Sequence, residues 1–132
     1  MKGIHHLGVA VEDLDDAISS YERLFGAELE GREVQDAQGV EAASLRVGDG
    51  HVELLAALGP DTPVGRFLAR RGPGMHHVAY EVEDLGAEVA RLAGQGATLI
   101  DAVPRQGLFG TQVAFVHPDA VHGVLSELVT RG

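Results

Sequence analysis

The opening strand of this chain is present twice. Gly3-Ile4-His5-His6-Leu7-Gly8-Val9-Ala10-Val11-Glu12-Asp13-Leu14 returns 71 positions later as Gly74-Met75-His76-His77-Val78-Ala79-Tyr80-Glu81-Val82-Glu83-Asp84-Leu85, with seven of the twelve aligned residues identical. Such a duplication requires a fold built from two similar modules. Each copy carries a His-His pair. Each half also ends in a strand-like run with a carboxylate, Val52-Glu53-Leu54-Leu55 and Ser126-Glu127-Leu128-Val129. Two modules that each offer one imidazole and one carboxylate supply what a four-ligand metal site needs.

The periodicities extend the repeat. Residues 3–11 alternate as a strand, and Asp13 stands where a helix N-cap belongs. Leu14, Ala17, Ile18, Tyr21 and Phe25 follow at helical spacing, and Gly26 ends the helix. Strands are predicted near 28–34, 40–47 and 51–57, the last two joined by a hairpin turn at Val47-Gly48-Asp49-Gly50-His51. In the second half a strand over 75–82 leads to Asp84 as cap and to a helix carrying Leu85, Val89 and Leu92, closed by Gly94 and Gly96. Strands are then predicted near 98–103, 112–116 and 124–130, with a glycine-rich loop, Pro104–Gly110, expected to expose Leu108 and Phe109.

Between the halves, Thr62 and Pro63 open a short helix with Val64, Phe67 and Leu68 as its apolar stripe. The predicted class is therefore α+β. Residues 1–132 form one domain of two βαβββ modules, 3–57 and 74–130, joined by a helical connector over 60–72, because neither half could bury its sheet face alone.

Bulk properties narrow the function. A formal charge of −10 opposes contact with nucleic-acid phosphates. No apolar run approaches the ~18 residues of a membrane span, and the start lacks a secretory signature. With no cysteine in the chain, a cytoplasmic protein without thiol chemistry is expected. An anionic ligand would need a metal ion or a local basic patch, for which Arg66, Arg70, Arg71 and Arg105 are the candidates.

The pleat separates the two histidines of each pair. His5 shares a face with Leu7, Val9 and Val11, which must pack under the helix, whereas His6 lies with Gly8 and Ala10, small residues that leave room for a bound species. His76 and His77 divide in the same way. The second histidine of each pair is thus the candidate ligand and the first a structural residue. Parity decides less for Glu53 and Glu127, but a carboxylate within an apolar strand requires a cationic partner. Two neutral imidazoles and two carboxylates balance a divalent ion, and cobalt, nickel, manganese or zinc would be accommodated.

These residues resemble the vicinal oxygen chelate superfamily and, within it, the methylmalonyl-CoA epimerases. The likeness runs over nearly the whole chain, through His5-His6-Leu7-Gly8-Val9-Ala10-Val11, Val52–Leu55, Val64-Gly65-Arg66-Phe67-Leu68, Gly74–Ala79, Phe115-Val116-His117-Pro118 and His122–Leu128. The resemblance implies a metal held by His6, Glu53, His77 and Glu127, with cobalt the first choice, a homodimer, and an acyl-CoA substrate epimerised at C2 through an enolate. Some epimerases carry a catalytic Glu at the position of Ala42. Glu41 is adjacent, but a one-residue offset points it to the other face. Glu127 and Glu53 are then the candidate proton-transfer groups.

Three readings compete. A glyoxalase-I-like lyase would use the same ligand types on a glutathione hemithioacetal. A metal-free small-molecule binding or resistance protein would not need four ligands. A ring-cleaving dioxygenase normally uses two histidines and a single carboxylate.

Overall fold

The computed structural model describes Met1–Arg131. In chain order the elements are β1 (Gly3–Ala10), α1 (Leu14–Phe25), β2 (Glu28–Gln35), β3 (Val40–Val47), β4 (Gly50–Ala57), α2 (Pro63–Arg71), β5 (Gly74–Glu81), α3 (Leu85–Gly94), β6 (Arg105–Gln106), β7 (Thr111–Val116), a 3-10 turn (Pro118–Val121) and β8 (Ser126–Arg131). The class is α+β, and each half repeats the order βαβββ. The chain divides into two compact units, a first of His6–His76 and a second made of Met1–His5 with the chain from His77 onward. Both boundaries fall between the two histidines of a pair.

In the first unit the strand order is β2-β3-β4-β1. β2, β3 and β4 form an antiparallel meander, and β1 adds in parallel to β4, with Leu7–Ala10 beside Val52–Leu55. α1 starts where the sequence places it, because the Asp13 carboxylate accepts from the backbone N–H of Asp16. Gly26 ends it at φ +62°, a left-handed conformation that glycine adopts without a Cβ clash. Leu14 and Ile18 pack with Val11, Ala43, Leu45 and Leu54 over one face of the sheet. Each fully buried leucine contributes about 2–3 kcal/mol. Phe25 departs from the predicted stripe: it is exposed, with its ring edge-on to Tyr21 at 5.5 Å.

The β3–β4 turn closes at the Val47↔Gly50 pair, with Gly48 at φ +57°. α2 begins at Pro63, and the Thr62 hydroxyl accepts from Gly65 N–H at 3.0 Å while donating to the Gly59 carbonyl at 2.8 Å. Gly65 has a packing role here, since a Cβ would meet the Gly59 carbonyl oxygen at 2.2 Å.

The second unit has the matching order β6-β7-β8-β5, with β5 parallel to β8 and Val78–Glu81 beside Ser126–Val129. α3 is capped by Asp84 and packs Leu85 and Val89 with Val82, Ala114, Val116 and Leu128. Here two expectations fail. Residues 98–103 do not form a strand: Leu99 makes only an isolated bridge to Val116. The Asp101 side chain accepts the Phe115 N–H at 2.9 Å, taking a donor that a strand carbonyl would otherwise use. Pro104 then offers no N–H to extend the ladder. Of the segment before the loop, only Arg105 and Gln106 form a strand, β6, paired with β7.

Nor does the following loop expose both apolar residues. Leu108 is buried, and its carbonyl accepts from both the N–H and the hydroxyl of Thr111, while Phe109 is half-buried at φ +54°. No helix is long and apolar enough to cross a membrane among the described residues.

Candidate active site

In the first unit, His6 rises from β1 on the face opposite α1, alongside Gly8 and Ala10. Glu53 on β4 stands beside Gly8 in the parallel register, which brings its Oε2 to 3.3 Å from His6 Nδ1. His6 is 4% and Glu53 6% exposed. Burial lowers the pKa of His6 below 6.5, with the Glu53 carboxylate opposing that shift and the imidazole of His51 adding to it. The ring is therefore neutral at physiological pH, the form that offers a lone pair to a metal.

The second unit repeats this geometry. His77 rises from β5, Glu127 stands beside Ala79 on β8, and Glu127 Oε1 lies 3.6 Å from His77 Nε2. Gly8↔Glu53 and Ala79↔Glu127 are thus equivalent pairs. His77 and Glu127 are 5% and 6% exposed. Burial pushes the Glu127 pKa up from 4.5 to about 8, eased by the Arg105 guanidinium and reinforced by the Asp101 carboxylate. His77 also meets the Phe115 ring edge-on at 5.8 Å.

A buried carboxylate in each unit carries a desolvation cost that a bound cation would relieve. Two imidazoles and two carboxylates are hard and borderline donors, suited to a divalent first-row ion. The imidazole–carboxylate pair of each unit is therefore compatible with such a metal.

The first histidines differ from each other: half-buried His5 offers a ligand atom within 4.8 Å of those of His6 and Glu53, whereas half-buried His76 packs edge-on to Phe67 at 5.0 Å, with burial lowering its pKa. Ala42 is fully buried on β3 opposite Leu55, on the Glu53 side of the sheet. Glu41 points to the other side, where Arg32 pairs with it and with Asp15 of α1. β3 and β4 run from Val40 to Gly50 without a register shift, so no bulge re-aims Glu41.

Among the candidate basic residues, Arg66 bonds the Asp61 carbonyl, Arg71 lies over Phe67 at 5.6 Å, and Arg70 is exposed. Arg105 differs from these, being held by Asp101 and placed over Phe115. The contribution of Asp101 was not read from the sequence. Its only signal there is an acid four residues before an arginine, which is common on any surface.

Duplicated βαβββ modules, each with a buried His–Glu pair on the sheet face away from its helix, define the vicinal oxygen chelate class. The chain belongs to the Glyoxalase/Bleomycin resistance protein/Dioxygenase superfamily, whose family model matches residues 5–115. It is similar to the uncharacterized protein YqjC of Bacillus subtilis, at 38% identity over 97% of this chain and 91% of that one. An ethylmalonyl-CoA/methylmalonyl-CoA epimerase of Cereibacter sphaeroides is 35% identical, over 95% of both chains. Among solved structures, a methylmalonyl-CoA epimerase in complex with methylmalonyl-CoA and NH4+ superposes with a TM-score of 0.97. It is 36% identical and matches over 100% of this chain and 96% of its own.

Proposed function

We propose that this protein is a methylmalonyl-CoA epimerase. The observation that carries the reading is the buried Glu127 beside His77, matched by Glu53 beside His6, in a chain that resembles acyl-CoA epimerases over almost its full length. In this reading His6, Glu53, His77 and Glu127 hold one divalent ion, cobalt being the first candidate. When bound, that ion supplies Lewis-acid stabilisation of negative charge developing on the thioester oxygen.

The chain's own groups handle the proton. C2 lies between a thioester and a carboxylate, and its proton is only weakly acidic. Glu127 takes it, and the C–H electron pair moves into the thioester carbonyl to give an enolate. Glu53, which starts the cycle protonated on the oxygen not used for the ion, gives that proton to the opposite face of C2, which inverts the centre and leaves the two glutamates with exchanged protonation states. Glu127 is buried beside His77, so its carboxylate is shielded from bulk water as it takes the proton. With Ala42 where some relatives place a carboxylate, β3 presents no third acid on the Glu53 face, Glu41 lying on the other. The deep burial of both glutamates excludes bulk water, so electrostatic stabilisation is stronger than in solution.

The test is incubation of the purified, metal-loaded protein with one epimer of methylmalonyl-CoA in deuterated water. Coupled C2 labelling and epimerisation are expected. Absence of both, with turnover of methylglyoxal plus glutathione in a parallel assay, would overturn the reading in favour of a lyase. Assembly as a homodimer belongs to the same proposal and is measured by light scattering.

A further inference from the structure

Arg105 is the only one of the four candidate basic residues on the sheet face that carries His77 and Glu127. Three features place it there. β6 pairs Arg105 with Val113, and Val113 shares its face with Ala79 and Val129. Two residues along β7, Phe115 stands directly opposite Glu127. The Arg105 guanidinium carbon then lies over the Phe115 ring, 5.4 Å from its centroid.

The guanidinium is also held from the side. Arg105 Nε lies 3.1 Å from Asp101 Oδ1, while Asp101 Oδ2 is fixed by the Phe115 N–H at 2.9 Å. Neither contact uses the two terminal amino groups of Arg105. A long, half-exposed side chain is thus fixed before any ligand arrives, with a planar fork still available. Its electrostatic environment gives that fork a purpose. Asp101 and Glu127 are both carboxylates, and the whole chain carries a charge of −10. Beside a metal-loaded Glu127, Arg105 adds a second fixed cation that favours an anionic group there.

We infer that Arg105 is a specificity-determining residue that binds the free carboxylate of the acyl group. The inference rests on the epimerase reading, in which Glu127 reaches C2. The carboxylate bonded to C2 must then lie close to Glu127, whose cross-strand partner Phe115 carries the Arg105 guanidinium over its ring. The phosphates of coenzyme A are separated from C2 by the whole pantetheine arm. A guanidinium fork matches a carboxylate with two parallel hydrogen bonds, which a lysine cannot reproduce. Asp101 is a positioning residue, acting through Arg105.

The experiment compares binding of methylmalonyl-CoA with that of propionyl-CoA, which lacks only the carboxylate. Calorimetric titrations of the metal-loaded wild type, Arg105→Lys and Arg105→Gln read affinity without requiring turnover. The wild type is expected to prefer methylmalonyl-CoA by about tenfold or more. Arg105→Gln should weaken methylmalonyl-CoA alone, bringing the two ligands within about twofold, and Arg105→Lys should fall between. Equal weakening of both ligands would assign Arg105 to the coenzyme A phosphates and overturn the inference. Unchanged binding in both variants, or a wild type without preference, would overturn it as well. A wild type that shows the preference but exchanges no C2 proton would remove the epimerase reading and leave the carboxylate contact standing. Thermal midpoints of Arg105→Lys and wild type are compared alongside, so that a folding defect in Arg105→Gln is recognised.

Discussion

Glu41 and Arg32 form an ion pair of 3.0 Å on the α1 side of the first unit's sheet, and the same guanidinium holds Asp15 at the start of α1. The pair fixes the orientation of a carboxylate that lies next in sequence to a position where some relatives carry a catalytic one. Because β3 alternates strictly, Glu41 cannot share the face of Glu53.

Glu41→Gln should therefore leave C2 deuterium exchange within about twofold of wild type, since no proton-transfer role is assigned to that face. The assay is exchange from methylmalonyl-CoA in deuterated water. A loss of tenfold or more would show that β3 shifts register when substrate binds.

Glu127→Gln separates chemistry from folding. The amide is nearly isosteric with the carboxylate but cannot accept the C2 proton, so exchange should fall by about 100-fold or more. The metal-free variant should be at least as stable as the metal-free wild type at pH 8.5, because a buried neutral amide carries no charge-desolvation cost. Retained exchange would transfer the proton-abstraction role to another group.

The pH dependence of stability follows from the same residue. Glu127 has a folded-state pKa of about 8 against an ordinary 4.5. Between these values the unfolded chain has released a proton that the fold still holds. Stability conferred by the neutral acid is present below 4.5 and is lost as pH rises through 8. His6 and His76, lowered from 6.5 by burial, act in the opposite direction: their stability is present above 6.5 and falls away in acid. The clean window for Glu127 is therefore pH 6.5 to 8. Over it the metal-free protein should lose about 2 kcal/mol in urea titrations, at about 1.4 kcal/mol per pH unit. Glu127→Gln should flatten the slope. Added cobalt should do so too, by favouring the ionised carboxylate.

Much of this architecture was legible because its signals are local. Asp13, Thr62 and Asp84 cap helices through bonds spanning three residues, and the alternation of His6, Gly8 and Ala10 is visible in the sequence itself. The Glu53 and Glu127 pairings were less legible: a single strand shows parity, but only the parallel β1–β4 and β5–β8 registers choose which carboxylate stands beside which histidine. The region from Ala97 to Gly110 was misread where a side chain replaced the backbone. Asp101 captures Phe115 N–H across fourteen residues, and no periodicity reports that bond. Leu108 turns inward because Thr111 holds its carbonyl, a contact specific to this turn.

Gly107 is the position from which Arg105 can be disturbed without touching its charge. Built onto Gly107, a Cβ would stand 2.5 Å from Val113 Cγ1 and 2.7 Å from Thr111 Oγ1, both inside van der Waals contact. Val113 is buried among Ala79 and Val129, and Thr111 anchors the turn, so neither can give way freely. The Gly107 N–H also donates to the Thr111 carbonyl at 2.9 Å, a bond the displaced backbone would weaken. Gly107→Ala should cost about 1–3 kcal/mol of stability, measured by urea unfolding. Because Gly107 directly follows β6, relief of the clash shifts Arg105 away from Phe115. Preference for methylmalonyl-CoA over propionyl-CoA should then narrow in calorimetric titrations while propionyl-CoA binding holds. A variant that unfolds earlier yet keeps its full ligand preference would show that β6 holds Arg105 independently of this turn.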